Sequence, residues 1–224
     1  MHRHSGGRHP YSEGVAGVDD ERTILRSELR ERRRRLGAGE RMAAAEGLVR
    51  TLENLPEFLT DPRIAGYWAI DGELPLHHVV NALRARGQQF FLPCISAPRQ
   101  LRFAAWRPGI ALEPNRYGIP EPSGADVEIV DGGTLDVVLV PLLGFDRHGG
   151  RLGYGGGYYD ATFAALRERS EVTSPVLVGI GYAAQELERF EPTDWDVRLD
   201  YVATERELID CWSREREPAA GSGA

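Results

Sequence analysis

Lysine is absent: all 27 basic side chains of the 224-residue chain are arginine. That excludes a Walker A loop, which needs a lysine ahead of its Ser/Thr. It also excludes Schiff-base catalysis, pyridoxal phosphate attachment and any lysine general base. Cysteine is almost absent. Cys94 and Cys211 lie far apart without C-x-x-C or Cys/His ligand spacing, so neither a disulfide framework nor structural zinc is expected, and both thiols read as buried or idle. No run of about twenty apolar residues is available to span a bilayer, and the first residues lack the apolar centre of a secretory signal. The reading is a cytoplasmic chain with no membrane partner. Positive charge is short overall. A net charge of -7 argues against nucleic acid as a partner, because a phosphate backbone demands net or locally concentrated positive charge. Any phosphate site must therefore be local.

What is present suits one α/β domain large enough to bury a core and hold a cleft. The polar, aperiodic ends 1–18 and 214–224 are expected to be disordered, with His2, His4 and His9 in a plain tail, and the folded domain is expected over 19–213. Asp19 or Asp20 can cap a helix that runs to Leu36 and stops at Gly37, and a second helix is expected over 40–54. The basic run 32–35 reads as a solvated or acid-paired helix face, since Glu28 and Glu31 lie one turn away. Apolar and β-branched runs predict strands over 64–70, 89–92, 101–106, 136–140, 176–180 and 201–203. Helices are predicted around Leu76, Val79, Val80 and Leu83, over 158–169, and over 205–211. This alternation predicts a three-layer sandwich, a mostly parallel sheet with helices on both faces and ligands at the carboxyl ends of the strands.

The most informative stretch runs from Gly144 to Asp160, with six glycines between residues 149 and 157 gathered around Arg151. Glycines at that density let backbone N–H groups approach a ligand and form a concave anion site. A dinucleotide fingerprint is excluded by register: the third glycine position falls on Tyr158 or on Asp160. What remains is R-L-G-Y-G-G-G-Y-Y-D between a predicted strand and a predicted helix, where a phosphate would meet loop N–H groups and a helix N-terminus. Arg151 would add a fixed positive fork, and Asp160 a carboxylate able to hold Mg²⁺ against phosphate oxygens.

This strand, the G-F-D turn and R-L-G-x-G-G-G-Y-Y-D resemble the signature of the 5-formyltetrahydrofolate cyclo-ligase (5,10-methenyltetrahydrofolate synthetase) family, and a looser likeness covers about 22–210. The resemblance implies an ATP-dependent ligase that cyclises 5-formyltetrahydrofolate to 5,10-methenyltetrahydrofolate, with ADP and phosphate released. It implies ATP as co-substrate and Mg²⁺ held by Asp160 and Asp200. Arg22 and Arg26 on the first helix, with Arg151, Leu152, Gly153, Tyr154, Gly155, Gly156, Gly157, Tyr158 and Tyr159, would hold the nucleotide. Arg151 and Tyr159 would act in catalysis, and Trp68 and Glu73 would bind the folate. Tyr117 to Pro122 is similar to the family's G-I-P-E-P segment, a rigid turn near the cleft. Two positions depart from the family pattern: Arg22 stands where lysine is usual, and Trp195 where histidine precedes an acid, here Asp196. The alternatives are a folate- or nucleotide-binding protein without turnover, and a ligase for another formamide-like substrate. A monomer or weak dimer is expected.

Overall fold

The computed structural model describes residues 13–213. The remainder, including His2, His4, His9 and the expected C-terminal tail, lies outside the described residues. The first helix, α1 (Glu13–Arg34), starts ahead of the expected cap. Next comes α2 (Ala38–Leu52), whose Glu40 side chain accepts the Gly37 N–H at 2.7 Å and so ties the entry to the first turn. Then α3 (Pro56–Thr60) opens on the proline that suits a first helical position.

β1 (Arg63–Ala65), α4 (His77–Ala85) and β2 (Gln89–Ala97) form a parallel strand-helix-strand unit, with Ile64 opposite Phe90. β1 is shorter than the predicted 64–70. After Gly66 donates to the Phe91 carbonyl at 3.0 Å, the chain leaves the sheet and Tyr67 to Ile70 turn to other work. β3 (Gln100–Trp106) returns antiparallel to β2. β4 (Leu112–Pro114) and β5 (Pro120–Pro122) make a separate hairpin, and β6 (Ile129–Asp131) pairs with β3. β7 (Val137–Pro141), the small β8 (Gly144–Phe145) and β9 (Arg151–Leu152), α5 (Tyr158–Thr162) and β10 (Val176–Ile180) follow. β11 (Tyr201–Ala203) and β12 (Leu208–Asp210) close the chain.

The eight-stranded sheet has the order β12-β11-β10-β7-β1-β2-β3-β6, parallel from β11 to β2 and antiparallel at both edges. Period-two alternation distributes its side chains. Val137, Leu139, Val176 and Val178 face one core with Leu48, Leu52 and Leu83 of α2 and α4. Val138, Val140 and Leu177 face a second core with Phe163, Val197 and Leu199. Both faces are thus covered, as the alternation predicted, one by α2 and α4 and the other by the short α5, the 3-10 turn Ala164–Leu166 and the loop through Val197 and Leu199. Each fully buried aliphatic side chain contributes about 1.5–3 kcal/mol. A third, smaller cluster joins Leu29 of α1 to Leu143, Leu152 and Phe190, so α1 packs on loops at one end of the sheet.

Two predicted helices differ from what forms. The segment 158–169 is a five-residue α5 followed by a 3-10 turn, Ala164–Leu166, because Phe163 adopts φ -105° and drives its ring into the second core. The segment 205–211 holds β12, and along it and the residue after it Ile209 and Cys211 are buried while Leu208 and Asp210 are half-buried, a period of two rather than of 3.6.

Candidate active site

A cleft of about 790 Å³ opens at the carboxyl ends of the parallel strands, where Pro141 ends β7 and Tyr67 and Trp68 follow β1. Arg22, Arg26, Trp68, Glu73, every residue from Arg151 to Tyr159, and Asp160 line this one space; Asp200 does not.

The glycine loop is held by a residue that pattern reading passed over. Asp146, 2% exposed, accepts the N–H groups of His148 at 2.8 Å and Gly150 at 2.9 Å through Oδ1, and that of Phe190 at 2.9 Å through Oδ2. Those bonds shape the turn that lets β8 and β9 pair, with Phe145 opposite Arg151. Gly149 has φ +86°, and a Cβ there would lie 2.5 Å from the Leu199 carbonyl oxygen, so a larger residue would push the turn off its neighbour. Gly153 instead has no heavy atom within 4 Å of the same point. The glycines therefore divide into one set that packs and one that faces the cleft.

Arg151 leaves β9 with its side chain buried, donating to the Val197 carbonyl and to the Asp160 carboxylate. Asp160 Oδ1 also accepts the Val197 N–H at 3.0 Å. Gly157 caps α5 in the left-handed region at φ +66°. With only five residues in α5, the helix dipole is a minor contributor, and positive potential at the loop comes from arginines. Three of these project from α1. Arg22 donates to the Glu191 carbonyl at 3.0 Å and to Asp196 at 3.2 Å, Arg26 Nε to the Gly153 carbonyl at 3.0 Å, and Arg33 Nη1 to the Tyr154 hydroxyl at 2.6 Å. Arg33 is 1% exposed, so of the solvated or acid-paired face expected for the basic run it is the acid-paired alternative that holds here, with Asp71 as the acid. Arg35 alone of that run pairs with Glu31, at 3.5 Å, while Arg33 and Arg34 gather on Asp71.

The other wall begins at a tight turn. Asp71 and Gly72 carry φ +47° and +77°, the paired positive values that an Asp-Gly dipeptide favours, and Glu73 N–H closes on the Ile70 carbonyl at 2.9 Å. In return Glu73 Oε2 accepts the Ile70 N–H at 2.9 Å. Burial pushes the Glu73 carboxyl above its ordinary pKa, opposed by hydrogen bonds from Tyr154 and the Ile70 N–H and by the Arg33 charge. Trp68 is 37% exposed, with its ring edge-on to Trp106 at 5.9 Å. The Tyr159 hydroxyl is buried in the cleft wall without a hydrogen-bond partner, and burial raises its pKa, so it remains a proton donor. The β4–β5 hairpin brings Tyr117, Ile119 and Glu121 to the cleft, and the Tyr117 and Tyr158 hydroxyls meet at 3.0 Å. Trp195 is 61% exposed at the rim.

Asp200 sits elsewhere. It precedes β11, at the amino end of the parallel strands, and is fully buried. Its Oδ2 accepts Arg169 at 2.6 Å and the Leu177 N–H at 2.7 Å, and its Oδ1 accepts the Trp212 indole at 2.8 Å. A carboxylate with both oxygens engaged at the far end of the sheet does not fit a metal role in this cleft. Asp160 does fit, since Mg²⁺ commonly takes one or two carboxylates and fills its shell with substrate oxygens and water. Among the described residues no group of three or more His, Cys, Asp or Glu could hold a metal by itself. Cys94 and Cys211 are both pushed up to about 12 by burial, in keeping with idle thiols. No helix among the described residues is long and apolar enough to cross a membrane.

The family model described as the 5-formyltetrahydrofolate cyclo-ligase family matches residues 18–205. The 5-formyltetrahydrofolate cyclo-ligase of Haemophilus influenzae is 30% identical over 180 residues, which is 80% of this chain and 94% of that one. That of Escherichia coli is 29% identical over 178 residues, covering 79% and 96%. Among solved structures, the 5,10-methenyltetrahydrofolate synthetase of Aquifex aeolicus superposes with a TM-score of 0.72 at 27% identity, covering 90% of this chain and 96% of that one. The synthetase of Mycoplasma pneumoniae, at 22% identity and a TM-score of 0.65, shares the fold. Agreement of sequence and fold over most of its length places this chain in the 5-formyltetrahydrofolate cyclo-ligase family.

Proposed function

We propose that this chain converts 5-formyltetrahydrofolate to 5,10-methenyltetrahydrofolate with ATP, releasing ADP and phosphate. The observation that carries the reading is a single cleft of about 790 Å³ whose one wall is a glycine loop beneath arginines and whose other wall is an aromatic ring beside a buried carboxylate. Two ligands can therefore meet in it. The formyl oxygen on N5 is a poor leaving group, so it first attacks the γ-phosphorus and displaces ADP. N10 then attacks the activated formyl carbon and gives up its proton, and phosphate departs with a proton gained as the ring closes. Such transfer asks the protein for alignment and charge stabilisation rather than for a nucleophile.

In this reading the Gly153 to Gly157 backbone, Arg22, Arg26 and Arg151 hold the triphosphate. Asp160 is the residue placed to hold Mg²⁺, which when bound offsets charge on the transferring group. Glu73 accepts N–H groups along the pterin edge, Trp68 offers it an apolar face, and the protonated Tyr159 hydroxyl is available to the formyl or phosphoryl oxygen. The reading carries with it a cytoplasmic location and a monomer or weak dimer.

The test is ultraviolet absorbance of the methenyl bridge after mixing protein with 5-formyltetrahydrofolate, ATP and Mg²⁺. ATP-dependent growth supports the reading. Binding of both ligands without growth would point to a protein that binds without turnover, and ADP release only with another formamide would point to a different ligase.

A pH dependence follows from Glu73. The carboxylate accepts pterin N–H groups only when ionised, and its pKa is raised. kcat/KM for the folate is therefore expected to fall on acidification at a higher pH than an ordinary glutamate would give. In stability the sign is opposite: the folded protein keeps the proton above the unfolded value of 4.5, so this group's contribution declines as pH rises through that window. Glu73→Gln is expected to abolish the acid limb, and an unchanged limb would remove Glu73 from folate binding.

A further inference from the structure

Arg33 is the largest side chain in the fully buried set, and it has no place in the scheme above. Burying a guanidinium is a poor way to gain stability, because desolvation consumes most of what its ion pairs return. This one has two specific partners on two different parts of the cleft. Nη2 donates to Asp71 at 2.9 Å in the turn before Glu73, and Nη1 donates to the Tyr154 hydroxyl at 2.6 Å in the glycine loop. Since the Tyr154 hydroxyl accepts from Arg33, its own proton is left for another acceptor, and after burial itself the nearby Glu73 carboxylate is one of the groups that raise its pKa. The Arg33 guanidinium also lies 5.6 Å from the Tyr154 ring centroid, over its face. Arginine suits this position because its charge is permanent and its fork is rigid, so one side chain can hold two acceptors at a fixed spacing.

We propose that Arg33 is a positioning residue: through Tyr154 it fixes the Glu73 carboxylate, and it thereby ties the state of the glycine loop to affinity for the folate. The proposal rests on the reading that Glu73 contacts the folate and the loop holds the nucleotide. Tyr154 lies between Gly153, whose carbonyl accepts from Arg26, and Gly155, so a nucleotide that orders the loop also orders the hydroxyl that aims Glu73. Linkage makes the effect reciprocal, so the folate in turn raises affinity for the nucleotide.

The experiment compares Tyr154→Phe, which keeps the ring and removes only the hydroxyl, with Arg33→Met, the double variant and Glu73→Gln. Affinity for the folate is measured with and without a non-hydrolysable ATP analogue, alongside kcat, KM and their pH profiles. Tyr154→Phe is expected to raise the folate KM about tenfold, the effect of one charge-assisted hydrogen bond. The analogue should no longer tighten folate binding. Arg33→Met should act alike, and the double variant should add little, because both break one chain of bonds.

The charged and titratable groups facing Glu73 are Arg33 from α1, Tyr67 and Asp71 from its own segment, Tyr154 and Tyr159 from the loop, and Tyr182. Of these, only loss of Arg33 or of the Tyr154 hydroxyl removes support for the ionised carboxylate, so in both variants the acid limb should move to higher pH. A Tyr154→Phe enzyme with unchanged folate KM and unchanged coupling, while Glu73→Gln is impaired, overturns the relay and leaves the folate site standing. Glu73→Gln with an unchanged folate KM overturns the folate site and the relay together.

Discussion

Arg151→Ala is expected to lower ATP-dependent formation of the methenyl product by about a hundredfold or more. The guanidinium leaves β9 beside the glycine loop, shared between the Val197 carbonyl and Asp160. A phosphate entering the loop competes for the same N–H donors, and each charge-assisted bond it gains is worth about 1.5–3 kcal/mol, or about ten- to a hundredfold. Removal also leaves the Asp160 carboxylate without its counter-charge, so the electrostatic balance of the loop changes sign locally. Arg151→Lys keeps the charge and loses the fork, and it should recover only part of the rate. The decisive comparison is single-turnover ADP release in the three proteins, with thermal unfolding as control. A near-normal rate in Arg151→Ala would remove this side chain from phosphate handling and leave Arg22 and Arg26 as the cationic ligands.

Asp200→Ala is expected to be damaging for a different reason. It strands the buried Arg169 guanidinium, the Leu177 N–H and the Trp212 indole in one step. Breaking one side of a buried pair costs about 3–5 kcal/mol, a large part of the 5–15 kcal/mol that separates folded from unfolded chains. For a chain of this size, unfolding should begin about 10 °C lower. The Mg²⁺ concentration for half-maximal activity should be unchanged in whatever protein remains folded, whereas Asp160→Asn should raise it without comparable loss of stability. The reverse pattern, a stable Asp200→Ala protein with a weakened metal requirement, would return Asp200 to the metal.

The glycine loop, the parallel sheet and most of the cleft wall were legible because they rest on local signals: a dense glycine motif, runs of β-branched residues, and an Asp-Gly turn. Asp200 was misplaced because a motif fixes residue order, not depth, and an aspartate before a strand can point to either end of a sheet. Arg33 was unreadable for a related cause. Its neighbours in the basic run are solvated or share a half-exposed acid, and nothing in four adjacent arginines says which one the helix turns inward. The signal was the phase of Leu25 and Leu29, both in the α1 cluster, with Arg33 one further step of four along the same face. Asp146 offered a weaker clue, as the acid of a G-F-D turn able to accept N–H groups from the residues that follow. The helix over 158–169 failed because tertiary demand for the Phe163 ring outweighs local propensity, and the strand β12 was masked by the helix-favouring Glu205 and Glu207 beside it.

The placement of α1 has a consequence for how the protein comes into being. This helix is made ahead of the residues on which its side chains seat: Arg33 on Tyr154, 121 positions on, Arg26 on Gly153, 127 on, and Arg22 on Asp196, 174 on. A nascent chain therefore carries an arginine-studded helix that can meet only the Asp71 turn until the glycine loop has left the ribosome, and Arg22 waits longer still. A chain released before residue 196 would hold the glycine loop without the Asp196 carboxylate that seats Arg22.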